Sequence, residues 1–122
     1  MNNIETEIHQ VGTIQIAELI SNKNIISSLD DALDLVGNLY YQGFDRIIIY
    51  EKNIIPSFFN LKTGLAGEVL QKFSNYRLRL AIVGDFSTFT SKSLQDFIME
   101  SNHGRQINFV VNKESALQTL SA

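Results

Sequence analysis

Residues 45–85, DRIIIYEKNIIPSFFNLKTGLAGEVLQKFSNYRLRLAIVGD, decide how this chain folds. Ile47–Tyr50 is an unbroken β-branched run between polar residues, the pattern of a strand covered on both faces. Pro56 cannot sit inside a central strand, so it marks a loop. An amphipathic helix is predicted from about Leu61 to Phe73, with Leu65, Val69, Leu70 and Phe73 on one face. Arg77 to Val83 then alternates and turns wholly apolar, a second buried strand ended by Gly84–Asp85. Strand, helix and strand in this order form a crossover unit, and crossover units build parallel sheets.

Outward from this core the pattern continues. Residues 4–9 and 13–20 read as two strands joined at Gly12, an antiparallel hairpin at one edge. Ser27 or Ser28 opens a helix with Asp30 or Asp31 as the return partner of a capping box. Leu29, Ala32, Leu33, Val36, Leu39 and Tyr40 form its apolar stripe, and Gly43 is its left-handed stop. Thr90 or Ser91 caps a third helix with Leu94, Phe97 and Ile98 inward, ended at Gly104. INFVV, residues 107–111, is the fifth strand, and Asn112 caps a last helix that buries Ala116, Leu117 and Leu120. The predicted order is β-β-α-β-α-β-α-β-α. It describes one α/β domain over residues 1–122, a mixed, mostly parallel five-stranded sheet with four helices.

Composition narrows the function. Ten Lys and Arg against thirteen Asp and Glu leave a net charge of −3, and hydrophobic residues make up 44% of 122. That balance supports an ordinary core and disfavours binding to a phosphate backbone, so no nucleic-acid partner is expected. With no cysteine, disulfides and thiolate chemistry are excluded. The start, MNNIETEIHQ, lacks the features of a signal peptide, and no apolar run approaches the roughly 20 residues of a membrane span. The expectation is a cytoplasmic protein that does not engage membranes. No nucleophile elbow, P-loop or kinase signature is present, so an enzyme is not expected. His9 and His103 lie far apart without helical spacing and give no metal signal. No cofactor is expected either.

Two resemblances sharpen the picture. The order of elements at this length resembles the STAS domain, the sulfate-transporter and anti-sigma-factor-antagonist module. The helix opening Leu61-Lys62-Thr63-Gly64-Leu65 resembles the Asp-Ser-Ser-Gly-Leu opening of the second helix in anti-sigma antagonists. Thr63 then falls on the phosphorylatable serine and Gly64 on the glycine, while Leu61 and Lys62 replace the Asp and the first Ser. LRLAIVG, residues 78–84, and NKESALQTL, residues 112–120, resemble the following strand and the last helix. More closely, YYQGFDRIIIYEKNIIPSFFNLKTGLAGEVLQKFSNYRLRLAIVGDFS, residues 40–87, is similar to the central stretch of a small bacterial family known as domain of unknown function forty-one eighty. The first resemblance implies a STAS-like fold and a regulatory, signalling role through a protein partner, with phosphorylation at Thr63. The second implies no activity.

The candidate residues follow. Thr63 at a helix start is a site for a phosphate or, as threonines at helix starts commonly are, a simple cap. Gly64 and Gly67 permit close approach of a phosphate or of the sheet. Glu51, Lys52 and Asn53 follow one parallel strand, and Asp85 and Ser87 another, at the carboxyl ends where ligands of open α/β sheets bind. With Lys62, Thr63 and Gly64 they form the expected binding or regulatory surface. Ile54, Phe58 and Phe59 crowd the Pro56 loop and either tuck onto the core or present a partner surface. The alternative function is a small-ligand domain holding a nucleotide or anion at the start of the second helix. The first strand, as a sheet edge, can also pair two chains into a homodimer.

Overall fold

The computed structural model describes residues 4–122. The five strands are β1 Glu5–Val11, β2 Ile14–Ile20, β3 Arg46–Tyr50, β4 Arg79–Val83 and β5 Ile107–Val110. They lie in one sheet in chain order, β1 antiparallel to β2 and every later neighbour parallel. The helices are α1 Leu29–Tyr41, α2 Leu65–Asn75, α3 Lys92–His103 and α4 Lys113–Leu120. This is the expected element order.

Each crossover steps to the adjacent strand in the same direction, and right-handed crossovers of that kind deliver every helix to the same face. Ala32, Val36 and Leu39 of α1, Val69, Leu70 and Phe73 of α2 and Leu94 of α3 pack there against Ala17, Leu19, Ile47, Ile49, Leu80 and Ile82. The opposite face is covered by α4, whose Ala116 and Leu120 meet Ile16, Ile48, Ala81 and Val83. Strict alternation along β3 thus sends Ile47 and Ile49 to one layer and Ile48 to the other, and all three are fully buried.

Local chemistry sets the ends. Ser28 caps α1 by accepting from the Asp31 amide at 3.2 Å, and Asp31 Oδ2 accepts from the Ser27 amide at 2.9 Å. Gly43 turns the chain at φ +87° after α1. Ser91 caps α3, and Asn112 caps α4 by accepting from the Ser115 amide at 2.8 Å.

Three arginines secure α4 at its other end. Arg46 donates to the Leu120 carbonyl, and Arg79 donates to those of Thr119 and Ala122, both at 3.1 Å. Arg105 reaches the Ala122 carbonyl at 2.6 Å. Guanidinium groups at a helix C-terminus satisfy carbonyls without intrahelical partners and oppose the negative end of the dipole.

The structure corrects two expectations. In α1, Leu33 is 39% and Tyr40 is 59% exposed, so the buried stripe is narrower than the sequence spacing indicated. Tyr40 instead meets Tyr76 edge-on, ring centroids 5.3 Å apart, at the surface between α1 and the end of α2. The second helix starts at Leu65 and not near Leu61. Asn60 Oδ1 accepts from the Lys62 amide at 3.3 Å, winding Leu61–Thr63 into a separate 3-10 turn, and Gly64 breaks the path at φ +78°. Among the described residues, no helix is long and apolar enough to cross a membrane.

Candidate functional site

The carboxyl ends of β3 and β4 open onto irregular segments: a 3-10 turn at Glu51–Asn53, a second at Pro56–Phe59, the turn Leu61–Thr63, and Phe86–Thr88 after β4. Between them runs a groove made of two adjoining depressions. One, of about 420 Å³, is lined by Glu51, Lys52, Pro56, Phe59, Thr88 and Phe89. The other, of about 340 Å³, shares Pro56, Phe59, Thr88 and Phe89 and extends to Asn60 and Ser91. Phe59 and Phe89 stack with centroids 5.2 Å apart and give the groove an aromatic floor.

Thr63 stands exposed in the turn opened by Asn60, which lines one end of this groove while Thr63 itself does not line it. Its Oγ1 lies 2.9 Å from the Asn60 carbonyl and 3.0 Å from that of Ser57, to which its single proton is donated in turn, and accepts from the Leu65 amide at 3.2 Å. The hydroxyl therefore ties the turn to the first residue of α2. Gly64, in a left-handed conformation that glycine adopts without steric cost, sets that angle. Lys62 is exposed beside it.

The remaining candidates divide by what they touch. Glu51 is half-buried and lies against Gly84 so closely that a Cβ on the glycine would be 2.6 Å from the Glu51 Cβ. Asp85 accepts from both the amide and the hydroxyl of Ser87 in a closed local turn, and those bonds hold its carboxyl below the usual range. Asn53 does not face a ligand. It is 1% exposed, its amide nitrogen donates to the Ser21 and Lys23 carbonyls at 2.8 Å, and its own carbonyl receives the Ile25 and Ile26 amides. It fastens the β2–α1 loop to the end of β3. Ile54, Phe58 and Phe59 are 3%, 1% and 6% exposed. The loop is tucked onto the apolar layer, with Phe58 wholly inside it, while Phe59 and Ile54 also turn an edge to the groove they help line. Gly67 is exposed with open space around it, so it serves no close packing against the sheet.

A second constellation was not anticipated. Glu18, in the middle of β2, is 3% exposed, the one buried residue with a formal charge among those described. Its Oε1 is 2.7 Å from His9 Nε2, its Oε2 accepts from the Tyr50 hydroxyl, and Lys113 Nζ is 3.9 Å from Oε1. Burial pushes its carboxyl up. The hydrogen bonds from Tyr50 and His9 and the charge of Lys113 outweigh that and leave it below the ordinary value. The same burial and the same carboxylate drive the Tyr50 phenol well above its usual range. One sequence signal was available: Ile14, Ile16, Glu18 and Ile20 share a strand face, so the carboxylate interrupts a row of isoleucines.

A sheet in the order β1-β2-β3-β4-β5, three crossover helices on one face and a fourth on the other, define a STAS-like α/β domain. A solved structure of a Thermotoga maritima protein assigned as an anti-sigma factor antagonist shares this fold, with a TM-score of 0.50 over 96% of this chain and 95% of that one, at 14% identity. No curated protein matches the sequence. The chain belongs to the family described as Domain of unknown function (DUF4180), whose model matches residues 11–120.

Proposed function

We propose that this domain is a regulatory module that binds a protein partner through the surface at the carboxyl ends of β3 and β4, and that phosphorylation of Thr63 controls the binding. The observation that carries this reading is the exposed Thr63, whose hydroxyl is held between the Leu65 amide and the carbonyl of Asn60, a residue that itself lines the Pro56–Phe59–Phe89 groove. The fold likeness to an assigned anti-sigma factor antagonist supports a partner that is a protein.

The chemistry gives the switch its sign. A kinase would transfer a phosphoryl group from a nucleoside triphosphate to Oγ1 while the hydroxyl proton leaves. Oγ1 then keeps no hydrogen to donate to Asn60 or Ser57, and about two negative charges appear next to Glu68 in the first turn of α2. Helix N-terminal amides and Lys62 favour the phosphate, while the lost donor and Glu68 oppose the present turn. The turn must rearrange, and the groove beside it changes shape.

The test is capture of partners from a lysate of the source cells by the wild type, Thr63→Ala and Thr63→Glu. A partner held by the wild type and Thr63→Ala and released by Thr63→Glu supports the reading. Identical partners on all three remove Thr63 from the switch.

A further inference from the structure

We infer that Glu7, His9 and Glu18 form a binding site for a divalent transition-metal cation of the zinc type, on the sheet face that carries α4 and apart from the Thr63 surface. The hairpin register builds it. Glu7 stands directly opposite Glu18, and His9 is the diagonal neighbour of Glu18 on the same face. One ligand atom from each of the three lies within 4.8 Å of the others. Two ligands about 2.1 Å from a tetrahedral zinc ion are roughly 3.4 Å apart, so small side-chain movements close the set around an ion.

Three further features point to a cation. Like charges directly opposite across a hairpin are unfavourable, yet Glu7 faces Glu18. Glu18 is a buried carboxylate whose lysine partner, Lys113, stays 3.9 Å away on a side chain that is 41% exposed, while its close partner at 2.7 Å is the metal-ligating imidazole of His9. The Tyr50 hydroxyl occupies Oε2 and orients the group, which directs Oε1 and His9 Nε2 toward one point. An imidazole beside two carboxylates selects first-row transition ions over magnesium or calcium, which prefer all-oxygen sets. The ion would take the place of the direct hydrogen bond between His9 Nε2 and Glu18 Oε1.

The full chain, tag-free and stripped with a chelator, is titrated with zinc chloride by calorimetry near neutral pH, with magnesium and calcium chloride in parallel. The expected result is one saturable zinc site per chain, at least about tenfold weaker in His9→Ala and in Glu7→Gln. Lys113→Met, which removes the competing positive charge, is expected to bind zinc several-fold more tightly. Glu7 is exposed on an edge strand, so Glu7→Gln keeps the fold even where a change at Glu18 does not. Absence of a zinc site, zinc binding unchanged by His9→Ala and Glu7→Gln, or equal binding of magnesium and calcium overturns the assignment.

Discussion

Glu51 lies against the backbone of Gly84, with its Cβ 2.6 Å from where a Cβ on the glycine would stand and its Oε1 nearer still. This contact joins the ends of β3 and β4 at the rim of the proposed partner surface. Gly84→Ala is expected to destabilise the fold by about 1–3 kcal/mol, the usual cost of forcing extra volume into a closed contact. Glu51→Ala should not relieve it, because the Glu51 Cβ is itself part of the collision, whereas Glu51→Gly should. Urea unfolding of the three single and two double variants checks this. A Gly84→Ala protein as stable as the wild type would contradict the contact.

Asn53 holds the Ser21–Lys23 loop from a buried position. Asn53→Ala leaves two loop carbonyls without their donor and is expected to cost about 2–3 kcal/mol. Its effect on partner capture should follow only the fraction unfolded. Loss of capture with unchanged stability would instead return Asn53 to the binding surface.

Arg79 joins β4 to the Arg105 carbonyl at 2.8 Å, to the Thr119 carbonyl in the last turn of α4 and to that of Ala122 just past it. Its burial, with Arg46 and Arg105 close by, lowers its own pKa, yet a guanidinium remains charged throughout the working range. Arg79→Ala should lower stability by about 2–3 kcal/mol and release α4 first. Hydrogen exchange is the measurement: amides of residues 116–120 lose protection before those of β3. Uniform loss across the domain would show that α4 is not fastened by this side chain.

The Glu18 network sets the acid limit. A carboxyl whose folded pKa lies below its unfolded value binds fewer protons when folded, so its stabilisation is present above the ordinary value of 4.5 and declines as the pH falls through the folded value. Wild-type stability is expected to drop below about pH 4.5 more steeply than that of Glu18→Gln, which has no such proton to take up. Tyr50→Phe, which removes the donor on Oε2, should bring the folded value closer to the ordinary one and make the acid decline shallower. Equal slopes for wild type and Glu18→Gln would contradict a depressed Glu18.

Much of this was legible in residue pattern. The run Ile47–Ile49 announced a strand buried on both faces, Asn112 marked its helix start, and the pairs Ser27–Ser28 and Thr90–Ser91 each bracketed a start that the structure gives to the second residue. The start of α2 was less so. Leu61 and Lys62 fit a helical stripe, and only the capping bond from Asn60 with the left-handed Gly64 shows that the turn and the helix are separate. Thr63 was singled out from the resemblance of Leu61–Leu65 to an anti-sigma-antagonist helix opening and from its place at a predicted helix start, and the structure sets it in the 3-10 turn just before that helix. Glu18 and His9 were not, since their proximity depends on hairpin register: nine residues separate them in sequence, and the isolated histidine carried no spacing signal. Asn53 and Asp85 looked alike as polar residues after strands. Which one turns inward is decided by the β2–α1 loop, whose carbonyls Asn53 satisfies.

The regulatory account stands most directly on Thr63. The wild-type domain, Thr63→Ala and Thr63→Glu, each verified as folded by its unfolding curve, are compared for affinity to the protein that the wild type captures. The account requires Thr63→Glu to bind at least about tenfold more weakly, a difference of 1.4 kcal/mol, with Thr63→Ala close to wild type. Equal affinity of all three for that partner would contradict control through this hydroxyl and leave the groove, if it binds at all, without its switch.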